Sequence, residues 1–125
     1  MNFDNVRFTK DHEWVRLDGE EAVVGITDFA AGELGDVVYV ELPTEGAEIT
    51  QGESMGTIEA VKTVADLYAP ATGTVTAVNT AIEDDPALVN SSPYEDGWFV
   101  RMRLADPARF DELMTHEAYQ EMVGQ

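Results

Sequence analysis

Turn-forming residues recur along this chain at such short intervals that only brief extended segments and short helices fit between them. Asp18-Gly19, Gly35, Pro43, Glu45-Gly46, Gln51-Gly52, Pro70 and Glu95-Asp96-Gly97 separate runs rich in Val, Ile, Thr and aromatic residues. Many short strands divided by close-set turns point to a sandwich or a small barrel. The chain is therefore expected to be mainly β. With 125 residues, 44% of them hydrophobic, it suits a single domain over 1–125 with one core.

Taken in order, His12 to Leu17 alternates in apolar character and the pattern resumes over Glu21 to Ile26. Asp18-Gly19 between them predicts a hairpin, since a type I′ turn needs positive φ at both central positions. Thr27 predicts the cap of a short helix over Asp28 to Leu34, stopped by Gly35. Val37 to Leu42, β-branched and aromatic, reads as the clearest strand and ends at Pro43. A short strand is expected over Ala47 to Ile49. A further pair, Met55 to Ala60 and Thr63 to Tyr68, meets at a tight turn carrying Lys62, so that a central hairpin occupies about 58–70.

Gly73 to Val78 predicts another strand, Glu83-Asp84-Asp85-Pro86 a solvated loop, and Trp98 to Leu104 the last strand. Asp106-Pro107 reads as an N-cap followed by a favoured first helical residue. Phe110, Leu113 and Met114 share one face, and Tyr119, Met122 and Val123 form a second apolar stripe. Two short C-terminal helices over about 107–123 are expected to cover the sheet. The halves on either side of the central hairpin look loosely alike, as in a barrel-sandwich hybrid built from two quasi-equivalent halves.

Charge removes whole classes of function. Seven Lys and Arg stand against 25 Asp and Glu, a formal net charge of -18, which repels phosphate backbones and anionic lipid. Neither a nucleic acid nor a membrane is an expected partner. The acidity suits steering toward basic protein surfaces, and equally suits adaptation to high salt. With no cysteine in the chain, disulfides, thiolate nucleophiles, Fe–S clusters and cysteine zinc sites are excluded, and any sulfur chemistry must come with a cofactor. Met1 to Asp4 has neither the basic start nor the apolar core of an export signal. The cytoplasm of a bacterium or archaeon is the expected location.

Catalytic equipment is scarce. His12 and His116 lack metal-ligand spacing and read as ordinary surface or strand-edge residues. Ser54, Ser91 and Ser92 lack a nucleophile-elbow context, and no phosphate-binding glycine loop is present. The chain is not expected to be an enzyme. Lys62 stands out because the only other lysine is Lys10. A catalytic lysine needs burial, which a hairpin tip does not provide. A lysine held out on a rigid scaffold is instead accessible to a modifying enzyme. From the residue alone, an ordinary solvated turn lysine is the favoured reading.

The flanking residues favour modification. Glu59-Ala60-Val61-Lys62, followed by Asp66 and Pro70, resembles the lipoyl-lysine hairpin of glycine cleavage H proteins. Matching stretches follow the family's order: His12-Glu13-Trp14, Gly25-Ile26-Thr27-Asp28, Leu34-Gly35-Asp36-Val37-Val38, and the most specific, Asn90-Ser91-Ser92-Pro93-Tyr94-Glu95-Asp96-Gly97-Trp98. The resemblance spans essentially the whole chain. Biotinyl domains usually flank their lysine with methionines, where this chain has Val61 and Thr63; lipoyl domains of 2-oxoacid dehydrogenases usually have Asp in the place of Val61.

The resemblance implies a barrel-sandwich hybrid with flanking helices, acting as a carrier. It implies (R)-lipoate amide-linked to Lys62 by a lipoate ligase or lipoyltransferase. The arm would take an aminomethyl group from the pyridoxal-phosphate glycine decarboxylase and pass its methylene to tetrahydrofolate on the aminomethyltransferase. Dihydrolipoamide dehydrogenase, with FAD, would reoxidise it. The resemblance also implies a cleft that shelters the loaded arm, placed by hypothesis near Glu13, Asp66 and the end of the Asp28 to Leu34 helix. Some relatives carry His where this chain has Glu33. Two alternatives stay open: a relay that hands lipoyl groups to other enzymes, and an unmodified structural module.

Overall fold

The computed structural model describes residues 3–124. Its strands form two sheets. The larger runs in the order β1 (Val6–Phe8), β2 (Glu13–Asp18), β3 (Glu21–Ile26), β9 (Val100–Leu104), β8 (Gly73–Val78), β5 (Glu48–Ile49). The smaller runs β4 (Val37–Glu41), β6 (Ser54–Ala60), β7 (Val64–Tyr68). Every pairing is antiparallel. This is the mainly β barrel-sandwich expected from the punctuation.

Strand periodicity decides where the apolar residues go. On β3, Ala22, Val24 and Ile26 enter the main core, which also takes Val40, Ile58, Leu67, Val75, Phe99 and Met102. Val23 points the other way, into a second cluster with Val6, Phe8, Trp14 and Tyr119. Successive side chains on a strand face opposite sides, so β3 is buried from Ala22 to Ile26 because both of its faces are covered.

Four local expectations need correction. In the β2–β3 hairpin Asp18 pairs with Glu21, which puts Gly19-Glu20 at the centre of the turn. Only Gly19 has positive φ (65°), so the turn is not type I′ but of the kind that needs glycine at its first central position. The 83–86 stretch is not simply a loop: α2 (Thr80–Asp84) runs into it, capped by Asn79 and anchored by the fully buried Ile82. A one-turn helix α3 (Leu88–Ser91) follows, and β1 precedes the first expected strand.

The last correction concerns the C-terminus. Asp106 caps as expected, but Pro107–Glu112 forms a 3-10 helix. It stops there because Met114 exchanges both backbone hydrogen bonds with Phe8, at 2.8 and 3.0 Å. Thr115 then caps α4 (His116–Val123). Tyr119 is buried on this helix, whereas Met122, expected in the same apolar stripe, is 43% exposed. The other helix, α1 (Asp28–Leu34), has Thr27 as N-cap and Gly35 at φ 78° as its stop, as expected.

Candidate functional site

Lys62 sits between β6 and β7. Glu59 pairs with Val64, and the Ala60 N–H donates to the Thr63 carbonyl at 2.8 Å, closing the tip. The Val61 N–H donates to Asp36 O at 3.0 Å, which ties the tip to the start of β4. The lysine is exposed and makes no hydrogen bond or ion pair among the described residues. Its stem lies over the end of α1: a Cβ placed on Gly35 would fall 3.1 Å from Lys62 Cε and 3.7 Å from Nζ. Gly35 thus stops the helix and leaves room for the stem.

A rigid base holds this arrangement. The Asn90 amide donates to Gly35 O at 2.7 Å and to Ala31 O at 3.4 Å, while its Oδ1 accepts from the Val37 N–H at 2.9 Å. One side chain therefore satisfies the frayed end of α1 and the first amide of β4, groups that helix ends leave open. Other residues of the Asn90–Trp98 run hold β2 and the start of α1. Trp14 Nε1–H donates to Pro93 O at 2.9 Å, and the Tyr94 hydroxyl donates to Asp28 Oδ1 at 2.9 Å. The motif that was most specific in the sequence is structural, and its contacts, invisible in the sequence, are what set the lysine's base.

Beside the hairpin a cleft of about 400 Å³ opens between α1, the loop before β2, and β7. Its floor and walls are apolar: Ile26, Phe29, Ala30, Leu34, Ile58, Ala65 and Leu67. Asp11, His12, Glu13, Glu33 and Asp66 complete its lining. Glu13, Asp66 and the end of α1, placed together by hypothesis, are thus brought together here. Asp66 is exposed. Glu13 is only 2% exposed. Burial pushes its carboxyl up to about 8, Asp11 adds to the rise, and hydrogen bonds from Thr9 and from the backbone of Tyr68 oppose it.

Thr9 carried no signal in the sequence, and His12, expected to be an ordinary surface or strand-edge residue, lines the cleft. The Thr9 hydroxyl donates to Glu13 Oε1 at 2.7 Å and also accepts the Asp11 and Glu13 N–H groups, both at 3.2 Å. His12 is the one non-glycine residue at positive φ (68°) among those described. Glu13, next in the chain, shares its β2 face with the buried Val15, so strand alternation turns it inward to the cleft. No local pattern announces the turn at His12.

Among the described residues, five of the six exposed large hydrophobic side chains, Val38, Tyr39, Val61, Val64 and Tyr68, belong to the small sheet and its hairpin. A register shift between Val37 and Tyr39 turns both Val38 and Tyr39 outward, as bulges near functional sites commonly do.

A lysine presented at the tip of a stiff hairpin on a two-sheet sandwich defines a carrier fold of the lipoyl-domain type. Comparison with known proteins makes the assignment specific. The family model for the glycine cleavage H-protein matches residues 6–125. A glycine cleavage system H protein from Bacillus cereus (strain B4264) is 52% identical over 122 residues, covering 98% of this chain and 96% of the relative. One from Brevibacillus brevis is 54% identical over 119 residues, covering 95% and 94%. The crystal structure of a glycine cleavage system H protein from Mycobacterium marinum superposes with a TM-score of 0.90 at 38% identity, over 100% of both chains. The chain belongs to the glycine cleavage H-protein family.

Proposed function

We propose that this chain is the lipoyl-bearing shuttle of glycine cleavage, with lipoate on Lys62 and the cleft beside it as the resting place of the loaded arm. The carrying observation is the cleft's chemistry: an apolar trough with carboxylates in its lining, which includes Leu34 at the helix end on which Lys62 rests. An acyl chain with a cationic end matches that mixed lining. Lipoate would supply the reversible dithiol that a cysteine-free chain lacks. The chain's own residues present, sort and shelter.

Lys62 presents the arm, and tethering raises the arm's effective concentration at each partner. The partners proposed are glycine decarboxylase, the tetrahydrofolate-dependent aminomethyltransferase, dihydrolipoamide dehydrogenase and a lipoate-attaching enzyme. Glu13 receives the ammonium end. Because Glu13 holds its proton up to about 8, docking of a cation exchanges that proton for a charge-assisted hydrogen bond. Docking therefore tightens as pH rises toward 8. Asp66 and Glu33 keep the mouth negative, and the apolar walls exclude water from the adduct. The chain itself supplies no catalytic nucleophile, and it works as a carrier in the cytoplasm. No helix among the described residues is long and apolar enough to cross a membrane.

The test is intact-mass analysis and peptide mapping after incubation with lipoate, ATP and a lipoate ligase, followed by glycine decarboxylase turnover. The expected result is one lipoyl adduct on Lys62, none on Lys62→Arg, and decarboxylase activity only with the loaded protein. An unmodified Lys62 would return the structural-module reading. A lipoylated protein that fails to support the decarboxylase, yet donates lipoyl groups to other enzymes, would establish the relay.

A further inference from the structure

Tyr119 lies far from Lys62 in the sequence, on a helix that contributes nothing to the cleft lining. Its ring stacks on Phe8 with centroids 4.9 Å apart, and its hydroxyl lies between two residues that position the cleft's walls. One neighbour is His12 Nδ1, at 2.8 Å, on the loop that carries Glu13. The other is Thr27 Oγ1, at 2.7 Å, the cap of α1. The Thr27 N–H also donates to His12 O at 3.0 Å, so the loop and the helix are joined at this point by backbone as well as by the tyrosine.

From this geometry we infer that Tyr119 is a positioning residue: its hydroxyl clamps the His12 loop to the start of α1 and so sets the width of the cleft and the place of Glu13. The inference rests on the cleft being the arm's resting place. The proton inventory gives the clamp a direction. Thr27 is fully buried, and among the described residues the Tyr119 oxygen is the one acceptor its hydroxyl meets, so its own proton goes there. Tyr119 then donates to His12 Nδ1, which holds the imidazole in the tautomer protonated at Nε2. A residue at positive φ needs such outside support, because the backbone alone disfavours it.

The experiment compares lipoylated protein loaded with the aminomethyl group, without aminomethyltransferase, as water cleaves the carbon–sulfur bond to free thiol, formaldehyde and ammonia. Tyr119→Phe keeps the stacked ring and is expected to release ammonia about five- to tenfold faster, the effect of roughly one hydrogen bond. Glu13→Gln should also speed release. Val6→Ala, in the same buried cluster, should lower thermal stability without speeding release. Faster release in Glu13→Gln but not in Tyr119→Phe overturns the clamp and leaves the cleft standing. No change in either variant overturns the cleft reading, and the clamp with it. Equal acceleration in Val6→Ala reduces Tyr119 to general bracing and overturns its special role. Nitrogen-15 spectra of His12 give a readout independent of turnover and of whether the variant folds: a hydrogen-bonded acceptor at Nδ1 is expected in the unaltered protein, and a free Nδ1 would overturn the inference.

Discussion

The hairpin tip and the cleft lie side by side and are built on opposite principles. At the tip the backbone does the work: cross-strand pairs, the Val61-to-Asp36 hydrogen bond and glycine at position 35 leave Lys62 exposed and unpaired. In the cleft the side chains do the work, and its key group, Glu13, is buried and holds its proton up to about 8. Presentation needs stiffness and water. Protection needs a dry cavity with a charge held in reserve, which is costly to fold. The two adjacent regions share the small sheet, through Ile58 and β7, but the cleft gains its second wall from α1 and the segment that carries Glu13.

The largest effect expected from breaking this contrast is at Glu13. Unfolded, its carboxyl ionises near 4.5; folded, it keeps its proton to about 8. Between those values the unfolded chain binds fewer protons than the folded one, so the stability this group contributes is fully present below about 4.5 and is lost as pH rises toward 8. Glu13→Gln removes the dependence. Chemical denaturation should find the variant more stable than the parent by on the order of 3–5 kcal/mol above pH 8, and nearly equal at pH 4. A parallel pair of stability curves would place the charge of Glu13 in solvent.

Asn90→Ala attacks the base on which the tip stands. It strands the Val37 N–H and the Gly35 carbonyl, both partnered by this amide. The expected loss is about 2–3 kcal/mol of stability, with slower lipoate attachment to Lys62 even at temperatures where the variant is folded. Unchanged attachment kinetics would separate the base from presentation. The smallest effect belongs to Gly35→Ala. At φ 78° and ψ -156°, a region essentially reserved for glycine, an alanine costs on the order of 1–2 kcal/mol, and its Cβ crowds the Lys62 stem at 3.1 Å. A modest fall in thermal midpoint and a small change in attachment rate are expected; an abolished attachment would mean the stem's path over α1 is obligatory.

Much of this molecule was legible because it depends on near neighbours in the chain. The Thr27 cap and Gly35 stop of α1, the strand that ends before Pro43, and the hairpin around Lys62 each follow from residues a few positions apart. The segments that were missed depend on distant partners. Strand β1 exists because it pairs along β2, and Met114 bridges Phe8 from its other side. Helix α2 exists because Asn79 caps it, its amide fixed by Asp96 O and Trp98 O, and because Ile82 fills the core; the acidic residues after it disguise the helix as loop.

The sequence by itself determined the class of fold, the single prominent lysine, the absence of cysteine and a strongly acidic composition. Those follow from composition, spacing and turn chemistry, which are local. Only the tertiary structure decided that Glu13 is buried and proton-holding, that Asn90 supports the lysine's base, and that a tyrosine 107 positions from His12 touches the cleft loop. A carboxyl's proton affinity depends on how much water surrounds it. That is set by which chain segments close over it, and no stretch of the sequence contains them all.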